Sequence, residues 1–250
     1  MQRLFLTLPT PAENVALDEA LLDWAEEEGS QQEFVRIWES AETFVVAGRS
    51  SRVALEINRP ECGGRRIPIV RRSSGGAAIV AGPGCLMYAV VLSYQVRPEL
   101  RDIGRAHQFV LGRIVDALTP FLEHVGNPER AGTSDLVLID RIAGAPARKF
   151  SGNSMRAKRT HFLYHGTLLY DFDLASIESC LLMPPRRPDY RGARPHRDFV
   201  MNLPLGREQL TAALDAAWPT TGELTDVPMS RVENLVATRF GQASWNYEFA

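Results

Sequence analysis

Seven short apolar runs constrain this chain more than any other feature. They fall at 3–8, 33–39, 43–48, 67–71, 86–93, 135–139 and 161–170, and each has the length of a strand. Segments with helical patterning sit between them at irregular intervals. One follows the first run, a long one fills 103–124, and three short ones lie near 173–182, 207–217 and 229–239. That order has no regular βαβ rhythm. It predicts an α+β fold with a mixed, largely antiparallel sheet flanked by helices. No internal repeat, low-complexity tract or linker divides the chain, so one domain is expected over residues 1–250.

Local signals sharpen the outline. Thr10, Pro11 and Glu13 form a helix start with a capping box, and Gly29 is a plausible C-cap. Leu17, Ala20, Leu21 and Trp24 make the buried stripe of that helix, and Val110, Ile114, Leu118 and Phe121 that of the long one. Runs 33–39 and 43–48 read as a strand pair.

Composition removes several classes. A hydrophobic fraction of 45% and a charged fraction of 23% are ordinary for a soluble globular protein. No apolar run approaches the roughly 20 residues that span a bilayer, and the N-terminus lacks the pattern of a signal peptide. A net charge of −2 gives no overall pull toward nucleic acid or a membrane surface. Cys62, Cys85 and Cys180 have no zinc spacing and suit a reducing cytoplasm. Lys149 and Lys158 are the only lysines among 28 Lys and Arg residues. A lysine kept under such an arginine bias marks a place where a guanidinium will not serve.

Three stretches carry the candidate chemistry. The first is "RRSSGGAAIVAGPGCLMY", residues 71–88. Glycines let another group approach the backbone closely. Exposed N–H groups beside a guanidinium make an anion site. The stretch matches neither the P-loop nor the dinucleotide glycine pattern, and in isolation it is a plain turn. The second, "RKFSGNSMRAKRTHFLYHGTLLY" over 148–170, places Lys149 beside a small polar Ser-Gly-Asn turn. Period-two alternation then puts Leu163, His165, Thr167 and Leu169 on one strand face, with Gly166 leaving room for a ligand. The bland readings are a solvated lysine and a satisfied interior histidine. The third is the Pro/Arg-rich segment from Arg186 to Arg197, whose prolines and glycines argue against regular structure.

Together these stretches resemble the lipoate–protein ligase A family, in the superfamily of lipoyl and octanoyl transferases and biotin ligases. The likeness rests on "NVALDEALL" at 14–22, "VRRSSGGAAIVAGPGCLMYAVV" at 70–91, "TSDLVL" at 133–138, "RKFSGNSMRAKR" at 148–159 and "YHGTLLYDFDL" at 164–174. The resemblance implies an enzyme that adenylates lipoate or octanoate with ATP and Mg2+. The acyl group would then pass to a lysine of a lipoyl domain or a glycine-cleavage H-type acceptor. Lys149 matches the family's catalytic lysine. Arg72, Gly75, Gly76, Ala77, Ala78, Ile79 and Val80, with Lys149, would hold the adenylate. Ser74, Gly152, Asn153, His165, Gly166 and Thr167 would line the substrate pocket, with the 86–92 strand and Leu163/Leu169 along the acyl chain.

The chain also departs from the family. Ala77 replaces the third loop glycine, and "VAGPGC" stands where His-Asp-x-Gly-Asn is usual. The sequence has no counterpart of a C-terminal accessory domain, so a separate partner protein is one expectation. An ATP-independent octanoyl or lipoyl transferase working through a cysteine thioester is the alternative. Thr133/Ser134 and Pro184 occupy the places of its nucleophile, which leaves Cys85 and Cys180 as candidates. A third reading is a catalytically idle binder of lipoyl or biotinyl cargo.

Overall fold

The computed structural model describes residues 1–28, 31–141 and 144–249; Gly29, the expected C-cap, lies outside them. The first half runs β1 (Gln2–Phe5), α1 (Pro11–Glu28), β2 (Phe34–Trp38), β3 (Phe44–Ala47), α2 (Val53–Glu56), α3 (Arg59–Gly64), β4 (Ile69–Arg71), β5 (Ile79–Ala81) and β6 (Cys85–Ser93). Next come α4 (Ile103–Leu122), β7 (Gly126–Ala131), β8 (Asp135–Asp140), β9 (Arg148–Ala157) and β10 (His161–Leu169). The last part holds α5 (Leu174–Cys180), α6 (His196–Phe199), α7 (Arg207–Ala217), β11 (Gly222–Glu223), α8 (Met229–Leu235) and α9 (Ala243–Asn246). Eight strands form one sheet in the order β11-β1-β2-β6-β10-β9-β8-β7, and β4-β3-β5 form a second. The large sheet is antiparallel from β2 to β7 and parallel across β11-β1-β2. This is the α+β architecture expected from the irregular order of elements.

Alternation on the central strands feeds two cores. Met87, Ala89 and Val91 of β6, with Leu163 and Leu169 of β10, face α1 and the small sheet. Leu86, Tyr88, Val90 and Leu92, with Phe162, Tyr164 and Leu168, face α4 and α7. All nine residues of β6 are buried, so the sheet is covered on both sides. The capping box forms as expected: the Glu13 carboxylate accepts from the Thr10 N–H at 2.8 Å, and the Thr10 hydroxyl accepts from the Glu13 N–H at 3.3 Å. Val110, Ile114 and Leu118 of α4 are buried; Leu122 joins them, while Phe121 is half-buried.

Four expectations need correction. The runs at 33–39 and 43–48 do not pair: β2 lies between β1 and β6, whereas β3 is the centre of the small sheet. Both strands are buried throughout, a cover that a two-stranded hairpin cannot provide. The Ser40 hydroxyl, donating to the Glu42 carbonyl at 2.8 Å, closes the turn that sends the chain from one sheet to the other. The first run stops at Phe5, because Leu6 C=O accepts from the Arg36 guanidinium and Leu8 bonds to the Asn14 side chain. Residues 149–153 are strand, not turn, as part of β9. The 186–197 segment contains a 3-10 turn at Asp189–Arg191 and α6, each entered from a proline.

Candidate active site

The two sheets and α1 enclose a cavity of about 250 Å³ with a mainly apolar wall. Val15, Trp38, Val46, Met87, Leu169, Ile177 and Phe199 supply that wall. Lys149 enters it from β9. A register shift against β8 leaves Phe150 as an extra residue between Lys149 and Ser151. Such a bulge re-aims side chains: Phe150 packs in the α4 core while Lys149 reaches the cavity. The Lys149 backbone is fixed by bridges to Val137 and Val200. Its ammonium meets the Asp135 carboxylate at 2.7 Å, and the Tyr190 hydroxyl donates to the other Asp135 oxygen at 2.7 Å. Burial, followed by the Asp135 charge, pushes the Tyr190 hydroxyl well above its ordinary pKa, so it stays a donor. Gly152 leaves space for the lysine: a Cβ there would lie 2.9 Å from Lys149 Nζ.

The loop between β4 and β5 forms the opposite wall. Arg72 is 7% exposed, and its guanidinium donates to the carbonyls of Val46, Gly75 and Ala77 and to Ser74 Oγ. Burial lowers its pKa to about 10, which still leaves it charged at neutral pH. The Glu56 carboxylate accepts from the Ala78 N–H at 2.8 Å and from the Ser51 hydroxyl at 3.1 Å. Among the described residues, the N–H groups of Gly75, Gly76 and Ala77 have no acceptor within the chain. Gly76 has φ +88° and passes Gly48 so closely that a Cβ on Gly48 would lie 1.9 Å from the Gly76 oxygen.

A buried chain of hydrogen bonds ties this loop to the rest of the site. Asp18 of α1 is paired with Arg36 at 2.7 Å and lies 3.1 Å from His165 Nδ1. A carboxylate only accepts, so Nδ1 carries the proton and Nε2 accepts from the Ser74 hydroxyl, 2.5 Å away. The histidine thereby joins α1, β10 and the glycine loop.

Most of the expected residues converge here. Arg72, Gly76, Ala77, Ala78, Ile79, Val80, Lys149, Gly152, Asn153, His165, Gly166 and Thr167 line one cavity, while Ser74 and Gly75 stand behind its wall. Leu169 and Met87 also line it; Leu163 belongs to the core beneath. The cysteines do not meet there. All three are buried, and none lines this cavity. Burial pushes Cys62 up to about 12 and Cys85 higher still. Among the described residues, no group of three or more His, Cys, Asp or Glu side chains could hold a metal ion.

Sequence reasoning missed Asp18, Asp135, Glu56 and Tyr190. Asp18 had a signal, since it interrupts the apolar stripe of α1. Arg36 had one too, as the single cation in the otherwise apolar run "FVRIW".

The comparisons agree with this geometry. The lipoyl protein ligase A/B catalytic domain family matches residues 10–214. A probable lipoate-protein ligase A from Mycoplasma pneumoniae is 29% identical over 206 residues, covering 81% of this chain and 56% of that protein. Lipoate–protein ligase 1 of Staphylococcus aureus is 25% identical over 81% of this chain and 61% of that protein. The chain thus spans less than two thirds of either relative. Octanoyltransferase LipM of Bacillus anthracis is 23% identical over 96% of this chain and 95% of that protein. In fold, the chain is similar to a bi-partite lipoate protein ligase from Thermoplasma acidophilum, with a TM-score of 0.78 at 19% identity and coverage of 100% and 98%. A lipoate-protein ligase A solved with ATP gives 0.75 at 19% identity, with 100% of each chain covered. By its sequence, the chain belongs to the lipoyl protein ligase A/B catalytic domain family.

Proposed function

We propose that this protein activates lipoate or octanoate with ATP as an acyl-adenylate and transfers the acyl group to a lysine of a lipoyl-domain or H-type acceptor. One observation carries the reading. Lys149 stands in an apolar cavity opposite a loop with unpaired N–H groups, and no cysteine reaches that cavity. The acyl chain lies against the apolar wall. The Lys149 ammonium, held by Asp135, faces the carboxyl and α-phosphate oxygens and stabilises the charge that develops there. The loop N–H groups are oriented for the same anion, and Arg72 keeps the loop in that shape. Magnesium enters with ATP as the counter-ion of its phosphates, because the described residues do not form a metal cluster.

A second reading is transfer of an octanoyl group without ATP. Its support is the nearly full-length match to octanoyltransferase relatives. The test combines purified protein, lipoate, Mg-ATP and a lipoyl-domain acceptor, read by intact mass, beside a reaction with octanoyl-carrier protein and no ATP. Acylation only in the first reaction supports the ligase; acylation only in the second replaces it.

A further inference from the structure

A second cavity adjoins the first across the glycine loop. Gly76, Ala77, Pro184 and Arg186 line both; Ser50, Ser51, Arg52, Leu55 and Glu56 line only the second. The walls differ in character. The first is mainly apolar, whereas the second carries two guanidiniums, two hydroxyls and a carboxylate. Among the described residues, neither the Arg52 nor the Arg186 side chain has a hydrogen-bond or ion-pair partner, although Glu56 lines the same cavity. One Glu56 oxygen is already occupied by the Ala78 N–H and the Ser51 hydroxyl. No aromatic side chain lines the second cavity, so it offers no face on which a base could stack.

An apolar slot, a cation facing unpaired N–H groups, and a polar arginine-bearing cavity therefore follow one another. We propose that the second cavity, with Arg52 and Arg186 at its wall, binds the diphosphate end of the nucleotide and holds the pyrophosphate that leaves. This rests on the ligase reading and extends it. In that step the acyl carboxylate oxygen bonds to the α-phosphorus. The bond from that phosphorus to the bridging oxygen breaks, and its electron pair departs on pyrophosphate. Two guanidiniums receive that charge through charge-assisted hydrogen bonds, outside the cavity that keeps the adenylate. Arg186 lines both spaces and follows the charge across.

The test measures binding of inorganic pyrophosphate and, separately, of AMP by calorimetry. It uses the full chain and its Arg52→Glu and Arg52→Lys variants. Arg52 is exposed, lies outside the first cavity and makes no side-chain cap bond to α2, so both variants keep the fold. The expected result is pyrophosphate binding by the wild type, weakened at least about tenfold in Arg52→Glu and largely retained in Arg52→Lys. AMP binding should be equal in all three. No pyrophosphate binding by the wild type, equal binding by Arg52→Glu, or a parallel loss of AMP would overturn the assignment. Lipoate-dependent ATP–pyrophosphate exchange by the wild type tests the ligase reading on its own. Arg52-dependent pyrophosphate binding without exchange would leave the site standing and remove that reading.

Discussion

Arg72 and Lys149 face the same cavity, and they are held in opposite ways. Arg72 is buried, and its guanidinium is taken up by four oxygens of the chain itself. Lys149 is partly exposed and meets a single carboxylate. A planar fork with five donors is suited to tying carbonyls together, while a compact ammonium on a flexible stem can shift between partners. The arginine gives the loop its shape, and the lysine stays available to a ligand. A chain that uses arginine almost everywhere has kept lysine at the position where the charge must move.

Removing each side of this contrast should produce distinct failures. Arg72→Ala has the largest expected effect, because it strips a buried network and leaves loop carbonyls without donors. It should destabilise the fold by about 3 kcal/mol and abolish acyl-adenylate formation. Urea denaturation checks the first part, and mass detection of the adenylate the second. Lost activity with unchanged stability would mean that the arginine serves the ligand and not the loop.

Lys149→Arg should cost at least about a hundredfold in acyl transfer to a lipoyl domain, with little change in melting temperature. Charge is kept, but the wider guanidinium cannot converge on both carboxyl and phosphate oxygens. A fully active Lys149→Arg would erase the distinction between the two cations.

Gly152→Ala is a milder version of the same test. Its Cβ would sit 2.9 Å from Lys149 Nζ, the movable end of a flexible side chain, so the lysine would give way before the backbone does. We expect about a tenfold loss of transfer and a stability change within about 1 kcal/mol. Unaltered kinetics would show that Lys149 works from a different position.

Replacing Cys62, Cys85 and Cys180 together by alanine should change turnover least, by about twofold or less. The buried sites would each cost roughly 1 kcal/mol of stability. An acyl adduct trapped on any of these cysteines in the unmodified protein would refute the ligase reading.

The sequence made the site more legible than the sheet order. Alternation along 161–170 placed His165, Thr167 and Leu169 on the cavity face, because that strand is covered on both sides and a one-residue slip would invert it. The strands Gly126–Ala131 and Arg148–Ala157 left no comparable mark. Their residues are mostly polar and only partly buried, so ladder hydrogen bonds define them and not an apolar pattern. The pairing of 33–39 with 43–48 failed for a related reason, since neighbouring apolar runs do not say which sheet each will join. Asp18 and Asp135 escaped notice because their roles depend on partners 147 and 14 residues away, contacts that only the folded topology creates.

Arg71, the other arginine of the pair, is buried and bound to the C-terminal segment. Its guanidinium donates to the carbonyls of Trp245, Asn246 and Glu248, its N–H donates to Asn246 Oδ1, and its own carbonyl accepts from the Trp245 indole. The strand that enters the glycine loop is therefore stitched to residues nearly at the far end of the chain. Regions so joined open together, as one cooperative unit in amide exchange. Loosening at residues 245–248 would reach the loop through this single side chain, so a tag appended there could disturb nucleotide binding from outside the cavity.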